Sequence, residues 1–87
     1  MNNNKLLITG GTGSFGTAFL KMAVTNNEFS EIRIFSRDEK KQDDLRKSLN
    51  DPRVKLYIGD VRDTGSLSNA VKGVDYIFHA AALKQVP

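Results

Sequence analysis

The sequence contains no cysteine and only one histidine. The absence of cysteine excludes disulfide bonds and thiolate metal sites, and it favours a reducing compartment. His79 alone cannot build a metal site. Long apolar runs are missing as well, since the first one ends at Thr9 and is too short for a signal core or a membrane span. An arginine-rich presequence is also missing from the first residues. We therefore predict a cytoplasmic chain with no membrane span.

The sequence also lacks a block of charge of one sign. Its net charge of +3 comes from Lys and Arg mixed with Asp and Glu, most densely over residues 37–44. Such mixing is typical of a solvated helix surface rather than of a nucleic-acid groove, so we expect no nucleic-acid partner. The 87 residues, of which 39% are hydrophobic and 26% charged, suffice for one small globular core.

Strand-like and helix-like segments alternate along the chain. The predicted strands are residues 5–9, 32–35, 54–58 and 74–78. A helix is predicted in each interval, and a crossover helix returns the chain to begin a parallel neighbour. The order predicts an α/β fold: a partial Rossmann fold whose parallel sheet has about four strands in the order 3-2-1-4, with helices on both faces. The fourth strand is then an open edge, and we expect a homo-oligomer.

Finer expectations concern the faces and the ends of these helices. The residues of the first helix predicted to cover the sheet are Phe15, Ala18, Phe19, Met22 and Ala23. Leu45 and Leu49 supply the sparse apolar face of the second helix. Ser36 and Glu39 have the spacing of a capping box that would open the second helix. Thr64 is predicted to cap the third helix.

A glycine-rich segment follows the first predicted strand and opens the first predicted helix. In that context, Gly10 allows a tight turn, Gly13 lets the backbone approach a pyrophosphate, and Gly16 lets the helix pack closely on the strand. No Gly-Lys-Ser/Thr follows, which excludes a triphosphate P-loop. The segment predicts a dinucleotide site, the alternative being a glycine-rich turn without a ligand.

The end of the second predicted strand carries cations where NAD-binding domains usually have an acidic residue. Ser36 and Arg37 are followed by Lys40 and Lys41. A guanidinium can grip a 2′-phosphate that a carboxylate would repel, so we expect NADP rather than NAD. Asp38 leaves NAD open, and the alternative role of Arg37 is that of a surface residue near a helix cap.

Polar residues also follow the third and fourth strands. Asp60 can accept a hydrogen bond from the adenine amino group, and Val61 can pack on the ring. The alternative is that Asp60 stabilises the turn before Arg62. We interpret His79 as a hydrogen-bonded residue at a strand end rather than as a catalytic base.

Four blocks of the sequence point to a family. They are residues 8–16 (Ile-Thr-Gly-Gly-Thr-Gly-Ser-Phe-Gly), 35–42 (Phe-Ser-Arg-Asp-Glu-Lys-Lys-Gln), 59–63 (Gly-Asp-Val-Arg-Asp) and 79–87 (His-Ala-Ala-Ala-Leu-Lys-Gln-Val-Pro). The first, with its G-x-x-G-x-x-G spacing, resembles the short-chain dehydrogenase/reductases. Together the blocks resemble the extended members of capsule and surface-polysaccharide synthesis, most closely the inverting UDP-N-acetylglucosamine 4,6-dehydratases, a group that includes proteins described as UDP-glucose 4-epimerases.

This resemblance implies a set of binding residues and a substrate class. The implied NADP site comprises Thr12, Gly13, Ser14, Phe15, Ser36, Arg37, Asp38, Lys40, Lys41, Asp60, Val61 and Ala80. Lys84 would lie between the cofactor and a UDP-sugar substrate, the alternative being an exposed loop cation. The implied activity is that of a 4,6-dehydratase, with a 4-epimerase as the alternative.

The catalytic tyrosine and lysine of this superfamily are not found in these residues. They stand four positions apart, whereas Tyr57 is followed at that distance by Val61 and Tyr76 by Ala80. We assign no catalytic residue, and we expect the catalytic pair and the substrate-binding part to lie beyond Pro87. Residues 1–87 are then the N-terminal part of an NAD(P)-binding Rossmann domain, and the alternative is a non-catalytic dinucleotide-binding module.

Overall fold

The computed structural model describes residues 4–10, 14–25, 29–60 and 62–79. Within these ranges, strands and helices alternate as predicted. They are β1 (Asn4–Thr9), α1 (Ser14–Thr25), β2 (Phe29–Ser36), α2 (Glu39–Leu49), β3 (Val54–Ile58), α3 (Thr64–Val71) and β4 (Tyr76–His79). None of the described helices is long and apolar enough to cross a membrane.

The strands form one parallel sheet in the order β3-β2-β1-β4. Ile8 is aligned with Ile34 on β2 and with Phe78 on β4. This is the predicted Rossmann-like order, which is confirmed. The middle of the central strand β1, Leu6 to Ile8, is an uninterrupted apolar run, and both of its faces are covered, as is typical of parallel sheets.

Alternation along the strands divides the core between the two faces of the sheet. Leu6 and Ile8 belong to a cluster that includes Leu20 of α1, and Leu45 and Leu49 of α2 pack against it. The residues that alternate with these along the strands point to the other face of the sheet. Leu7 and Phe35 form a second cluster with Ala70 of α3. Helices therefore cover both faces, α1 and α2 on one and α3 on the other.

The inward face of α1 differs from the prediction. Ala18 is exposed and Met22 is 59% exposed, so the prediction that these two residues cover the sheet is wrong. Phe19 packs against the core as predicted, and the buried positions are Gly16, Leu20 and, also as predicted, Ala23. These lie at i, i+4 and i+7, and the small residues at both ends let the helix approach the sheet around one large side chain.

The two predicted helix caps are also wrong, by two residues for α2 and by one residue for α3. β2 continues through Ser36, so the residue that caps α2 is Asp38, whose carboxylate accepts a hydrogen bond from the Lys41 backbone N–H at 3.0 Å. Asp63 caps α3 by accepting from two backbone N–H groups, and Thr64 is the first helical residue. A carboxylate one position upstream was the better acceptor in α3, because it reaches the free N–H groups of the first turn.

Two arginines attach α3 and α1 to the sheet near the amino-terminal ends of the strands. Arg33 is 7% exposed and donates to the carbonyls of Ala70 and Lys72, at 2.8 and 2.6 Å, where α3 ends. Arg53 donates to the carbonyl of Val24 at 2.5 Å, in the last turn of α1. A cation at a helix C-terminus satisfies carbonyls that have no partner within the helix.

Candidate functional site

The carboxyl ends of the four parallel strands meet at one edge of the sheet, which is where ligands bind in open α/β folds. Gly10 follows β1, Arg37 follows β2, Asp60 follows β3, and His79 ends β4. The sequence-predicted segments are therefore neighbours in space. Some predicted site residues lie outside the described part of the chain: Thr12, Gly13, Val61 and Ala80 for the cofactor and Lys84 for the substrate. The side chains of Ser14 and Phe15 also lie outside it.

Two turns of the site are attached to the end of β2 by backbone hydrogen bonds. The Gly10 N–H donates to the Phe35 carbonyl at 2.8 Å, and the Gly59 N–H donates to the Ser36 carbonyl at 2.9 Å. Gly10 has φ of 70°, in the left-handed region that favours glycine. The expected role of Gly10 in a tight turn agrees with this geometry. Gly16 is buried in the first turns of α1, which fits the expected close packing of helix and strand.

Gly59 lies directly before Asp60 at the carboxyl edge of the sheet, and its close packing was not predicted from the sequence. A Cβ atom at this position would lie 2.8 Å from two ring atoms of Phe35 and 3.0 Å from the Cβ of Ser66. Phe35 is 1% exposed, so its ring cannot move aside into solvent. The available signal was the Gly-Asp pair directly after the third strand.

Asp60 is held by two arginines. Its carboxylate accepts from the Arg62 side chain, with the shortest contact at 2.8 Å, and from the Arg62 backbone N–H at 2.9 Å. Nη1 of Arg37 lies 3.6 Å from Oδ2 of Asp60. Hydrogen bonds from Arg62, first from its side chain and then from its backbone, lower the pKa of Asp60 to about 2. Both proposed roles of Asp60 remain compatible with this geometry, since the turn is stabilised and the carboxylate stays ionised.

Ser36 faces the interior rather than the site edge. It is 8% exposed, and its hydroxyl accepts a hydrogen bond from Nε2 of Gln42 at 2.9 Å. The same Nε2 donates to the Tyr57 carbonyl at 3.0 Å, so Gln42 ties β2 to β3 beneath the site. Gln42 was also missed, although its position three residues before Leu45 places it on the inward face of α2.

Cations surround the N-terminus of α2. Arg37 is exposed before the helix, and Lys40 and Lys41 are exposed in its first turn. The free N–H groups of a helix N-terminus add positive potential, which Glu39 and the capping carboxylate of Asp38 partly offset. The arrangement suits an anion that approaches from solvent.

His79 and Thr9 end neighbouring strands and contact each other. The Thr9 hydroxyl and Nδ1 of His79 form a hydrogen bond, which agrees with the interpretation of His79 as a hydrogen-bonded residue at a strand end. The described residues contain no cluster of three or more His, Asp or Glu that could hold a metal ion.

These residues fit the groups of a dinucleotide. The positive φ of Gly10 permits the turn that leads into α1, the exposed cations of Arg37, Lys40 and Lys41 have the chemistry to bind phosphate, and the ionised Asp60 can accept from an amino group. The site could therefore hold a nicotinamide dinucleotide along the carboxyl edge of the sheet.

Known proteins resemble this chain in sequence and in fold. A protein of Rickettsia bellii named UDP-glucose 4-epimerase is 65% identical over 85 residues, covering 94% of this chain and 25% of the relative. The structure of Pen from Bacillus thuringiensis has a TM-score of 0.81 and 31% identity, over 88% of this chain and 24% of Pen. A short-chain dehydrogenase/reductase from Veillonella parvula in complex with NADP has a TM-score of 0.74 at 19% identity, over 87% and 34% of the two chains, and shows the fold alone.

The similarity to a family extends over most of the chain. Residues 6–87 match the family described as polysaccharide biosynthesis protein. The chain spans about a quarter of the length of the curated relatives it matches. The sheet order, the glycine turn after β1 and this match lead to one conclusion: the chain belongs to the polysaccharide biosynthesis protein family and has the fold of the short-chain dehydrogenase/reductases.

Proposed function

We propose that the chain binds NADP and serves as the cofactor-binding part of a cytoplasmic enzyme that modifies a UDP-sugar for polysaccharide synthesis. The observation that carries the proposal is the meeting of Gly10, Arg37 and Asp60 at one edge of the sheet, on the ends of three neighbouring strands. A phosphate-binding turn, an exposed cation and an ionised acceptor are what a dinucleotide requires there.

NADP is preferred over NAD in this proposal because of the state of two side chains. Arg37 is 73% exposed, so its guanidinium can turn to a 2′-phosphate. The carboxylate of Asp38 is engaged in capping α2, which leaves it poorly placed to receive the ribose 2′-hydroxyl of NAD. Lys40 and Lys41 add positive charge on the same side.

The names of the relatives support one enzyme class over the other. Those of Rickettsia are named UDP-glucose 4-epimerase, and this favours a UDP-sugar 4-epimerase as the activity to which the chain contributes. The 4,6-dehydratase hypothesis is retained as the second candidate because the four sequence blocks together resemble that group most closely. When bound, the cofactor supplies reversible oxidation at a sugar carbon. The chain's own residues bind and orient it, with Gly10 shaping the turn and Arg37 and Asp60 holding the adenosine end.

Titration of the chain with NADP and NAD tests the cofactor assignment. Arg37→Ala should weaken NADP binding by about one to two decades and leave NAD binding nearly unchanged, because a charge-assisted hydrogen bond to the 2′-phosphate contributes roughly 1.5–3 kcal/mol. Lys47→Ala is the matched control, since Lys47 is exposed and pairs with Asp43 at the other end of α2. Equal affinities for the two cofactors in the unaltered chain would remove the assignment.

A chimera tests whether the chain can serve as the cofactor-binding part of such an enzyme. This chain would replace the matching quarter of the Rickettsia bellii relative, which supplies the remaining residues, and the product would be analysed with UDP-glucose and with UDP-N-acetylglucosamine. A sugar product equal to that of the unaltered relative, whether its C4 epimer or a sugar that has lost water, supports this role. Absence of product from a chimera that binds NADP, while the unaltered relative is active, would contradict it.

A further inference from the structure

The carboxylate of Asp60 is fixed by one residue from several directions. Nε of Arg62 lies 3.2 Å from each carboxylate oxygen, Nη2 lies 2.8 Å from Oδ2, and the backbone N–H lies 2.9 Å from Oδ1. The hydrogen bonds described for Arg62 all go to Asp60. The Arg62 side chain is nevertheless 79% exposed, so burial does not account for the arrangement.

We propose that Arg62 is a positioning residue for base recognition: it holds the ionised carboxylate of Asp60 in the orientation that accepts the 6-amino group of adenine, and it thereby makes the site select adenine over a 6-oxopurine. The inference rests on the proposed function, because it assumes that the dinucleotide lies across Asp60. It adds a residue and a selectivity that the cofactor assignment does not contain.

The chemistry of the two purines explains the selectivity. Adenine carries an amino group at C6, which donates a hydrogen bond to a carboxylate. Hypoxanthine carries a carbonyl oxygen there, and two acceptors facing each other repel. A carboxylate that can rotate away or take up a proton relieves its repulsion with the oxo base. A carboxylate that is ionised and held in one orientation cannot, so it rejects the oxo base more strongly.

Arg62 suits this role better than Arg37. Arg37 makes a single approach to the carboxylate at 3.6 Å and is the residue expected to turn to the 2′-phosphate. Arg62 contacts both oxygens at 3.2 Å or less. Two contacts to one planar group fix its rotation, which a single contact does not. The backbone N–H of Arg62 remains when its side chain is removed, so we expect a partial rather than a complete loss of orientation.

The experiment compares the dissociation constants of NADP and of its hypoxanthine analogue, nicotinamide hypoxanthine dinucleotide phosphate, for the 87-residue chain and its variants. The unaltered chain should bind NADP about tenfold or more tightly than the analogue. Asp60→Asn should abolish this ratio, because an amide can donate to the oxo base as well as accept from the amino base. Arg62→Ala should lower the ratio about three- to tenfold, and Arg62→Lys should restore part of it.

Arg46→Ala is the matched control, because Arg46 is also an exposed arginine paired with a nearby carboxylate, that of Asp43, within α2. It should leave the ratio unchanged. Circular dichroism of each variant establishes whether it folds. If Arg62→Ala does not fold, Arg62→Lys takes its place in the test.

The outcomes separate the inference from the function on which it rests. If the unaltered chain binds neither compound, the proposed function fails and the inference with it. If Asp60→Asn abolishes the ratio while Arg62→Ala keeps it, the inference is overturned and the cofactor assignment stands. The inference is also overturned if Arg62→Ala weakens the binding of both compounds by the same factor. The ratio of the two dissociation constants is then unchanged, and only charge or folding was altered.

Discussion

At the residue scale, close packing at the edge of the site surrounds a position that has no side chain. The Cα of Gly59 faces the buried ring of Phe35, and an added methyl group would approach it to 2.8 Å. Gly59→Ala should therefore destabilise the chain by about 1–3 kcal/mol, because overpacking against an immobile ring forces the backbone to shift. Thermal or urea unfolding followed by circular dichroism measures the change.

A second glycine provides the control for that experiment. A Cβ at Gly65 would lie 3.5 Å from Oδ1 of Asp63, which is an ordinary contact. Gly65 is in the first turn of α3, so Gly65→Ala should be neutral or stabilising by up to roughly 1 kcal/mol through helix propensity. Equal stability of the Gly59→Ala variant and the unaltered chain would contradict the packing argument.

The titration of Asp60 is a further prediction at this scale. Hydrogen bonds from Arg62 hold its pKa at about 2, below the ordinary 3.8. A depressed carboxyl pKa stabilises the folded chain above pH 3.8, and this stabilisation is lost as the pH falls from there towards about 2. Carboxyl carbon shifts measured by NMR between pH 2 and 6 should show Asp60 ionised through most of that range.

Arg62→Ala should raise the midpoint of Asp60 towards 3.8. Asp43 is the internal reference, because its pKa is lowered by Lys47 and Arg46, which this substitution does not touch. A midpoint for Asp60 that does not move in the variant would show that another group holds the carboxylate.

At the element scale, the attachment of α1 to the sheet depends on a side chain from the strand-three side. Arg53 donates to the carbonyls of Val24 and Phe29 at 2.5 and 3.0 Å and is paired with Asp51. Arg53→Ala leaves those carbonyls without this donor, and we expect a loss of roughly 1–3 kcal/mol in unfolding free energy. Faster hydrogen exchange at the end of α1 should accompany it.

The comparison for Arg53 is an arginine that fastens nothing to another element. Arg46 is 59% exposed and pairs with Asp43 on the same helix, so Arg46→Ala should change stability by about 0.5 kcal/mol or less. If the two substitutions cost the same, Arg53 does not act as a tie between α1 and the sheet.

The order of the elements could be predicted from the sequence, whereas several of their ends and faces could not. β3 was predicted with its bounds because Val54, Leu56 and Ile58 alternate with polar neighbours between turn signals. The start of β4 at Tyr76 was not, since Val74 is apolar but packs in the cluster under α3. Asp75 accepts from the Lys5 backbone N–H through its side chain, a long-range contact that no local pattern reveals.

The candidate site was predictable to the extent that strand ends carry it. The pattern placed Gly10, Arg37 and Asp60 at strand ends, and parallel pairing brings such ends to one edge. It did not reveal that Ser36 turns inward to Gln42 or that Arg62 grips Asp60. Those contacts depend on the rotamers of side chains from different elements, which residue spacing does not specify.

At the scale of the whole molecule, the two edges of the sheet differ in character. β4 has β1 as its neighbour in the described part of the chain, and Tyr76 and Ile77 are 54% and 58% exposed. β3, at the other edge, carries the exposed Lys55. An apolar edge strand pairs readily, whereas lysine on an edge opposes pairing. Homo-oligomer formation thus stays a prediction, with β4 as its expected place.

Sedimentation across a range of concentrations tests this expectation. The unaltered chain should associate as its concentration rises, and Ile77→Lys should shift it towards the monomer, because a charge on the exposed edge opposes strand pairing. Ile58→Lys, at a position on β3 that is 49% exposed, is the control and should leave association unchanged. A chain that stays monomeric at all concentrations, or one for which Ile58→Lys has the larger effect, would contradict the assignment to β4.

The two backbone hydrogen bonds that tie the turns of Gly10 and Gly59 to the end of β2 have an evolutionary consequence. They involve no side chain, so the frame formed by these two turns and the end of β2 depends on the backbone and on the two glycines rather than on the exposed residues around them. The exposed positions on that frame, such as Arg37 and Lys41, can then change without moving it. A few surface substitutions can therefore change the cofactor preference of such a domain while the distance between the turns of Gly10 and Gly59 stays constant.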